Sequence, residues 1–390
     1  MLKAFKYRLS PTGKQVSTLQ WTLDRCRELY NAALSERRDA YKSTGKSITC
    51  YEQINDLPEI KEIRPEYGEI HSQVLQETLR RVDKAFKAFF ARCKRGQTRG
   101  YPRFQGRNRY DSFTYPQGGF SLTHDGRVCL SKIGSIKVKL HRPLEGKIKT
   151  CTVKREGDRW FIVFACQVET KPLSISHEDV GIDLGVMHLA TLSDGSTIEH
   201  PRYYRRSEKK LSKLQQSLAR KKRGSHRRKK AVKHLGAAYR KVRNQRADFL
   251  HKQSRKLVDR YQIIVFEQLQ TANLVKRPKP KQDENGTYLL NGAAAKGGLN
   301  KSISDAGWSM FVGMCTSKAE EAGRTVLQVN PKYTSQVCSG CGTVRKKTLE
   351  ERWHSCECGT ELDRDHNAAL NILRLGFKHL AGKQPTLARA

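Results

Sequence analysis

The sequence predicts an α+β protein of several domains, on three observations. A strand pattern at residues 2–9 precedes two helical patterns, and further short β-prone runs follow them from residue 113 to residue 169. A second series from residue 180 onward alternates apolar strands with helices, and four of the eleven cysteines cluster at residues 338–358. We therefore expect a β-domain with inserted helices, followed by an α/β domain that carries a metal site.

Helical periodicity dominates residues 11–100. Ser10 is a predicted N-cap with Pro11 at the first helical position, and the pattern that follows ends at Gly45. A second helix is predicted from about residue 71 to residue 95, because its apolar side chains recur at helical spacing. These two helices predict a helical lobe.

Short β-prone runs dominate residues 101–175. The runs are residues 120–122, 127–130, 136–140, 150–154 and 160–168. The opening strand would join them, so we predict a β-barrel or curled sheet made of residues 1–10 and 101–175, interrupted by the helical lobe.

Strands alternate with helices from residue 176 to residue 390. The predicted strands are residues 181–192, 263–267 and 326–329, with a hairpin turn at 193–196, and the predicted helices lie within 202–260, 308–322 and 367–377. Residues 275–300 are rich in Pro, Gly and Lys, so we predict a mobile loop there. This order of elements is that of the RNase H-like fold, which we predict for residues 176–390.

The positive charge of the chain indicates a polyanionic partner. The 390 residues include 75 Lys and Arg against 38 Asp and Glu, a formal charge of +37. Nucleic acid is the usual partner of such a chain, with a membrane surface or a ribosomal assembly as alternatives. A hydrophobic content of 37% excludes disorder of the whole chain. No apolar run approaches the ~18 residues of a membrane span and no signal peptide is recognisable, so we expect a soluble, cytoplasmic protein with no membrane partner.

More than half of the net charge lies in residues 202–260, which hold 23 Lys and Arg against three acidic residues. Two apolar registers on either side of Gly224 predict two antiparallel helices with one buried and one basic face. The residues that we predict to contact phosphates are Arg220, Lys221, Lys222, Arg223, Arg227, Arg228, Lys229 and Lys230. A solvated linker or a localisation signal is the alternative.

The clustered cysteines have the spacing of a zinc site. Cys338, Cys341, Cys356 and Cys358 would supply four thiolates to one structural Zn²⁺, within a zinc finger at residues 333–362. One residue separates the second pair where two are commoner, so His354 is an alternative ligand. Four unrelated thiols are the remaining alternative.

Carboxylates interrupt apolar segments at three places. Asp183 lies inside one apolar strand, Glu267 ends another, and Asp363 and Asp365 precede the final helix. A carboxylate in a core strand is costly unless it is paired or binds metal. Cleavage of a phosphodiester by two Mg²⁺ ions ~3.5–4 Å apart needs such oxygen ligands from separate elements. Taken singly, Asp183 could pair with a buried arginine and Glu267 could be a surface acid.

Motifs along the whole chain resemble those of the TnpB family, which insertion sequences encode and which resembles the ancestors of type V CRISPR effectors. Within residues 176–390 the motifs are Gly181-Ile182-Asp183-Leu184-Gly185, Val265-Phe266-Glu267-Gln268-Leu269, Cys338-Ser339-Gly340-Cys341-Gly342 and Asp363-Arg364-Asp365-His366-Asn367-Ala368-Ala369-Leu370-Asn371. The N-terminal motifs are residues 71–73, 85–90 and 100–104.

The resemblance implies an RNA-guided DNA endonuclease of a transposable element. Asp183, Glu267 and Asp365 match the catalytic acids of its RuvC-like domain, which would hold two Mg²⁺ ions, whereas Asp363 matches a flanking structural acid. The β-domain would be a wedge, the helices a recognition lobe, and residues 275–300 a lid. The implied partners are a guide RNA from the transposon end and target double-stranded DNA beside a short target-adjacent motif. The implied protein is a monomer with one RNA, acting at the prokaryotic nucleoid.

Two other functions stay open. A strand-transfer transposase would use the same acids without RNA and would give joined products. A nuclease-inactive RNA-guided regulator would bind DNA without cutting it, and the three intact acids disfavour it. An ATP-driven helicase is excluded, because the sequence has no Gly-x-x-x-x-Gly-Lys-Ser/Thr motif.

Overall fold

The computed structural model describes residues 1–98, 100–107, 109–348 and 351–382. The chain forms two compact units, Met1–Glu169 and Thr170–Ala390. The end of the predicted nuclease domain, residues 383–390, and residues 349–350 of the predicted zinc finger lie outside the described residues. Among the helices that are described, none has the length and apolar character needed to cross a membrane.

The first unit is built on a seven-stranded antiparallel sheet. Its strands are β1 (Leu2–Ser10), β2 (Ser112–Tyr115), β3 (Phe120–Leu122), β4 (Arg127–Leu130), β5 (Gly134–Lys139), β6 (Lys147–Glu156) and β7 (Arg159–Gln167). Their spatial order is β2-β6-β7-β1-β5-β4-β3. The edge strands β2 and β3 are only four and three residues long and do not pair with each other among the described residues. The sheet is therefore open, and the prediction of a closed barrel is not supported.

Helices lie between the first two strands of this sheet in the chain. They are α1 (Gly13–Thr44), α2 (Cys50–Asn55), α3 (Leu57–Ile63), a 3₁₀ helix (Pro65–Glu69) and α4 (Ser72–Lys94). Because β1 pairs with both β5 and β7, these helices are an insertion into one sheet. Apolar residues of β1, α1 and α4, including Tyr7, Leu23 and Leu75, belong to a single buried cluster.

The start of α1 differs from the prediction. Ser10 still belongs to β1, where it pairs with Lys137, so it is no N-cap. Thr12 caps the helix instead, through a reciprocal capping box with Gln15. The end was predicted correctly, since Gly45 stops the helix in the left-handed conformation at φ 69°.

The second unit contains a five-stranded mixed sheet and two small hairpins. Its strands are β8 (Asp179–Asp183), β9 (His188–Leu192), β10 (Thr197–Glu199), β11 (Ile263–Glu267), β12 (Lys281–Gln282), β13 (Tyr288–Leu289), β14 (Thr325–Val329), β15 (Trp353–Ser355) and β16 (Glu361–Asp363). The main sheet has the order β10-β9-β8-β11-β14, in which β8, β11 and β14 are parallel. The predicted strand at 181–192 is wrong, because the chain reverses after Asp183 and β9 pairs antiparallel with β8.

Among the described residues, six helices complete this unit. They are α5 (Tyr203–Ala219), α6 (His226–Arg260), α7 (Thr271–Leu274), α8 (Ala293–Ala306), α9 (Trp308–Ala322) and α10 (Arg364–Ala381). The predicted loop at 275–300 is therefore partly wrong. Three successive alanines at 293–295 favour the helix, and burial of Ile303 and Ala306 secures it. Helix α10 also begins three residues earlier than predicted.

Helices α5 and α6 pack as the predicted basic hairpin, called the basic hairpin below. The end of the basic hairpin opposite its connecting turn is its open end. This end is buried, since Val242, Leu250 and Leu257 are each under 5% exposed. Val232 and Tyr239 belong to the apolar register that was predicted to face inward, but both are exposed. The buried carboxylate of Asp305 in α8 anchors the open end, as it accepts hydrogen bonds from Arg246 at 2.8 Å and from the backbone of Tyr204 at 2.9 Å.

Candidate active site and metal centre

Three of the predicted acids meet at one edge of the main sheet. Asp183 is the last residue of β8 and Glu267 is the last residue of β11. Adjacent parallel strands end at the same edge, so both side chains lie at the carboxyl end of the sheet, where open α/β sheets usually bind ligands. Asp365 lies in the first turn of α10, which packs against β8 and β11. The edge thus collects carboxylates from three separate elements.

Glycines allow α10 to lie unusually close to the sheet. A Cβ atom at Gly181 would be 2.1 Å from the carbonyl oxygen of Ala369, and one at Gly376 would be 2.4 Å from Cγ2 of Val265. Contacts this short cannot exist, so only glycine fits at these two positions without movement of the neighbours. This close approach places the first turn of α10, and therefore Asp365, beside the strand ends.

The electrostatics of this acidic site are those of crowded like charges. The carboxyl groups of Asp183 and Glu267 face each other closely enough to share a proton. Burial, and then the negative charges of Glu267 and Asp365, raise the pKa of Asp183 well above its ordinary value. Burial also raises the pKa of Glu267. Arg364, 3.4 Å from Asp365, compensates only part of this charge. Hard oxygen ligands held together against their own repulsion are suited to divalent cations such as Mg²⁺.

Asp363 has a different task from Asp365. It is the N-cap of α10, and its Oδ1 accepts hydrogen bonds from the backbone N–H groups of Asp365 at 2.8 Å and His366 at 3.3 Å. A carboxylate at this position satisfies free N–H groups and complements the helix dipole. Asp363 therefore orients the turn that carries Asp365.

Asn367 and Asn371, which the sequence motif contains but to which we assigned no role from sequence, attach the cysteine cluster to α10. Asn367 accepts a hydrogen bond from the backbone of Ser339 at 2.9 Å and donates one to the carbonyl of Val337 at 2.8 Å. Asn371 donates to the carbonyls of Val337 and Thr334. Both asparagines are buried. An asparagine repeated at a four-residue interval on a predicted helix was the available signal, since it indicates a polar stripe facing a partner.

The four clustered cysteines form a site that is large enough for one metal ion. All four sulfur atoms lie within 4.8 Å of one another, and the Cys338–Cys358 and Cys341–Cys356 pairs are each 3.6 Å apart. Four sulfurs around a tetrahedral Zn²⁺ with Zn–S bonds of ~2.3 Å would be ~3.8 Å apart, so the thiols fit this ion. His354 is buried nearby but its ring nitrogens are not part of this group.

Backbone groups prepare one of these thiols for a metal. Although burial opposes it, hydrogen bonds including those from the backbone of Cys341 and Gly340 lower the pKa of the Cys338 thiol to about 5. The thiolate is the form that binds metal, so this loop is preorganised for it.

Replacing Cys338 by serine is expected to remove the bound metal. Zinc content, measured by elemental analysis, should fall from about one atom per chain to nearly none, because three thiolates leave a tetrahedral site incomplete. Cys93→Ser, which changes a cysteine of α4 remote in sequence from the cluster, should keep its zinc. Full zinc occupancy in Cys338→Ser would contradict a four-thiolate site.

The closed end of the basic hairpin, residues 220–230, carries the eight predicted phosphate contacts. Six of them are exposed, and Lys221 and Arg228 are partly buried. Arg228 donates hydrogen bonds to the carbonyls of Leu218 and Lys221, each at 3.0 Å, and so closes the turn between α5 and α6. Within the described part of the chain, none of the eight forms an ion pair with a carboxylate. Seven of these cations are thus available for phosphate, whereas Arg228 has a structural role.

Comparison with known families matches three segments of the chain. Residues 162–277 match the OrfB_IS605 family, described as a probable transposase, and residues 308–372 match the Cas12f1-like TNB domain. Residues 1–46 match a family described as a helix-turn-helix domain. In this chain that segment is strand β1 followed by the single helix α1.

Two curated relatives are similar over nearly the whole chain. A Streptomyces pristinaespiralis protein named "Putative RNA-guided DNA endonuclease" is 34% identical over 96% of this chain and 89% of its own length. An Escherichia coli K12 protein named "Putative RNA-guided DNA endonuclease InsQ" is 32% identical over 97% and 94%. Among solved structures, that of the mini-RNA-guided endonuclease CRISPR-Cas_phi3 aligns with 96% of this chain and 92% of its own, at 10% identity and a TM-score of 0.48.

Proposed function

The chain belongs to the TnpB family of insertion-sequence proteins, and on that premise we propose that it is an RNA-guided DNA endonuclease. The observation that carries the proposal is the convergence of Asp183, Glu267 and Asp365 at the carboxyl end of the main sheet. These residues are the proposed catalytic acids of a RuvC-like nuclease domain spanning residues 176–390. Residues 1–10 and 101–175 are the proposed wedge, and residues 11–100 the proposed recognition lobe.

The chemistry of the site requires little from the protein except placement and charge. Asp183, Glu267 and Asp365 would hold two Mg²⁺ ions, which lower the pKa of a bound water and stabilise the charge that develops on the leaving oxygen. A bound cation would offset the repulsion between the three carboxylates. Because Mg²⁺ carries two charges, it would offset more of this repulsion than a monovalent ion. Asp363 would position Asp365 by capping α10. A structural Zn²⁺ at the four cysteines would stabilise the loop to which Asn367 and Asn371 form hydrogen bonds.

The basic hairpin supplies a surface for the phosphate backbone of a guide RNA–DNA duplex. The exposed cations at its closed end form no ion pair with a carboxylate of the described residues, so they can neutralise phosphates. Lys and Arg that bind a backbone without reading bases are what an RNA-guided mechanism needs, because base pairing provides the specificity. The proposed partners are one guide RNA from the transposon end and target double-stranded DNA, bound by a single chain.

Replacing Arg223, Lys229 and Lys230 together by glutamine is expected to weaken RNA binding and make it less dependent on salt. The slope of log K against log salt should decrease by about one for each phosphate that the protein no longer neutralises. Arg228→Gln is the matched control, because it removes the hydrogen bonds that close the turn. It should lower the melting temperature and leave the salt slope almost unchanged. An unchanged slope in the triple variant would place the phosphate contacts elsewhere.

The decisive experiment purifies the protein from cells that carry the complete transposable element and sequences any RNA that accompanies it. The protein–RNA complex is then incubated with Mg²⁺ and DNA that matches the RNA. We expect a specific RNA and cutting of the matching DNA only. Recovery of no specific RNA would refute the guided mechanism, joined DNA products would indicate a strand-transfer transposase, and binding without cutting would indicate a nuclease-inactive regulator.

A further inference from the structure

A cavity of about 400 Å³ lies at the carboxyl ends of β11 and β14, next to the acidic site. One wall is a single face of α9 that runs from Trp308 to Glu320, and the opposite wall includes Glu267 and Gln328. Its volume is within the ~300–1,000 Å³ typical of small-molecule sites. Of the three acids, only Glu267 lines this space.

The cavity lies on the far side of the sheet from α10. Leu327 and Val329 of β14 pack in the cluster that α10 covers, and alternation along a strand turns the intervening Gln328 toward α9. Glu267 ends its strand, lines the cavity and also faces the carboxyl group of Asp183. A group seated in the cavity would therefore lie beside Glu267, one of the three acids.

The chemistry of the walls excludes a phosphate as the occupant. Among the described residues that line the cavity there is no Lys or Arg, although the chain contains 75 of them, and two lining residues are glutamates. The walls instead combine the apolar surfaces of Trp308 and Val312 with serine and threonine hydroxyls and the Gln328 amide. Apolar faces with hydrogen-bonding edges are the features of a nucleobase, and an aromatic or apolar wall with a few polar groups is how proteins hold one outside the stack.

We propose that this cavity receives one unpaired nucleobase of the DNA strand being cut, from a nucleotide adjacent to the scissile phosphate. The proposal rests on the proposed endonuclease function and specifies how that site holds its substrate. Binding of the base would fix the position of its sugar and phosphate relative to Glu267. Correct positioning of a reacting group contributes a large part of the rate enhancement of many enzymes. Unstacking is least costly in a single strand, so the cavity favours DNA that has already been opened.

Gly313 provides a position from which a larger side chain can reach into the cavity. It lines the cavity within α9, and a Cβ atom built there meets no other atom within 4 Å. Gly313→Phe places a ring in the space, whereas Gly313→Ala leaves most of it open and favours the helix. With RNA and Mg²⁺ present, we expect Gly313→Phe to cut matching DNA about tenfold or more slowly than Gly313→Ala, in line with the worth of one seated base. Affinity for RNA and thermal stability should be the same in both variants.

A second experiment varies the DNA substrate, replacing each nucleotide near the cut in turn by an abasic nucleotide. In the native protein, one abasic position should slow cutting by about tenfold, and the same position should cause no further loss in Gly313→Phe. Equal rates for the two Gly313 variants, or a flat abasic scan, would overturn the proposal. If Gly313→Phe folds poorly, the scan on the native protein decides alone. Failure of the endonuclease proposal itself is recognised separately, since the native protein would then leave intact matching DNA uncut.

Discussion

Replacing Asp183 by asparagine is expected to abolish DNA cutting and at the same time to stabilise the magnesium-free protein. The carboxylate is partly buried and faces Glu267 and Asp365, and both burial and repulsion raise its pKa. Asparagine keeps the shape and can donate its amide to Glu267, but it removes one of the crowded charges and one cation ligand. We expect loss of cutting by at least about 10²–10³-fold, and a gain in the free energy of unfolding of about 1–2 kcal/mol.

The predicted gain in stability distinguishes a repelled carboxylate at Asp183 from one that is paired with a cation. It is measured by thermal unfolding in buffer free of magnesium but also free of chelator, because a chelator would remove zinc as well. A gain of about 1–2 kcal/mol corresponds to a few degrees in the melting temperature of a unit this size. If Asp183→Asn is instead less stable, the native carboxylate makes a favourable structural pairing, as a buried arginine partner would provide.

Asp363→Asn is the matched control for this substitution. It changes the same functional group at the same end of the sheet, yet asparagine is as good an N-cap as aspartate. Cutting and stability should therefore stay close to those of the native protein. Asp363→Ala should be milder than Asp365→Ala, and complete inactivity of Asp363→Ala would move the third catalytic acid from Asp365 to Asp363.

Asp183 and Glu267 could be singled out from the sequence because the signals for them are local, whereas the grouping of Asp183, Glu267 and Asp365 as catalytic acids is a prediction that rests on the family resemblance. The bounds of β11 were predicted correctly, since a short β-branched run ending in a carboxylate has few other interpretations. Asp183 stands out in the same way, as a charge within an apolar strand. Parallel pairing of β8 and β11 then brings the two strand ends together, and the element order of the second unit already indicated that pairing.

What could not be predicted depends on contacts between distant segments. The apolar residues Leu184, Val186 and Met187 continue the strand pattern, so the reversal between β8 and β9 is visible only once the strands pair. Proline and glycine at residues 278–292 obscure the helix that begins at Ala293. The buried pair of Asp305 and Arg246 joins residues 59 positions apart, and nothing in the local pattern of either residue indicates the other.

Replacing Gly181 by alanine is expected to disable cutting although the residue carries no functional group. The added methyl would lie 2.1 Å from the carbonyl oxygen of Ala369 and 2.6 Å from the backbone nitrogen of Leu373. Both are atoms of the α10 backbone, which cannot rotate away as a side chain can, so the whole helix must shift and carry Asp365 with it. A misplacement of about 1 Å can cost about 10²-fold in rate, and overpacking of this kind about 1–3 kcal/mol in stability.

Three measurements identify the cause as the position of α10. Gly236→Ala, at an open position in α6 where a Cβ atom meets nothing within 4 Å, should cut normally and gain up to ~1 kcal/mol. Gly376→Ala should be milder than Gly181→Ala, because its short contact is with the side chain of Val265. Gly181→Ala should also retain its zinc, since the four thiols move together with α10. A native rate of cutting in Gly181→Ala would mean that the close approach of α10 to β8 does not determine where Asp365 lies.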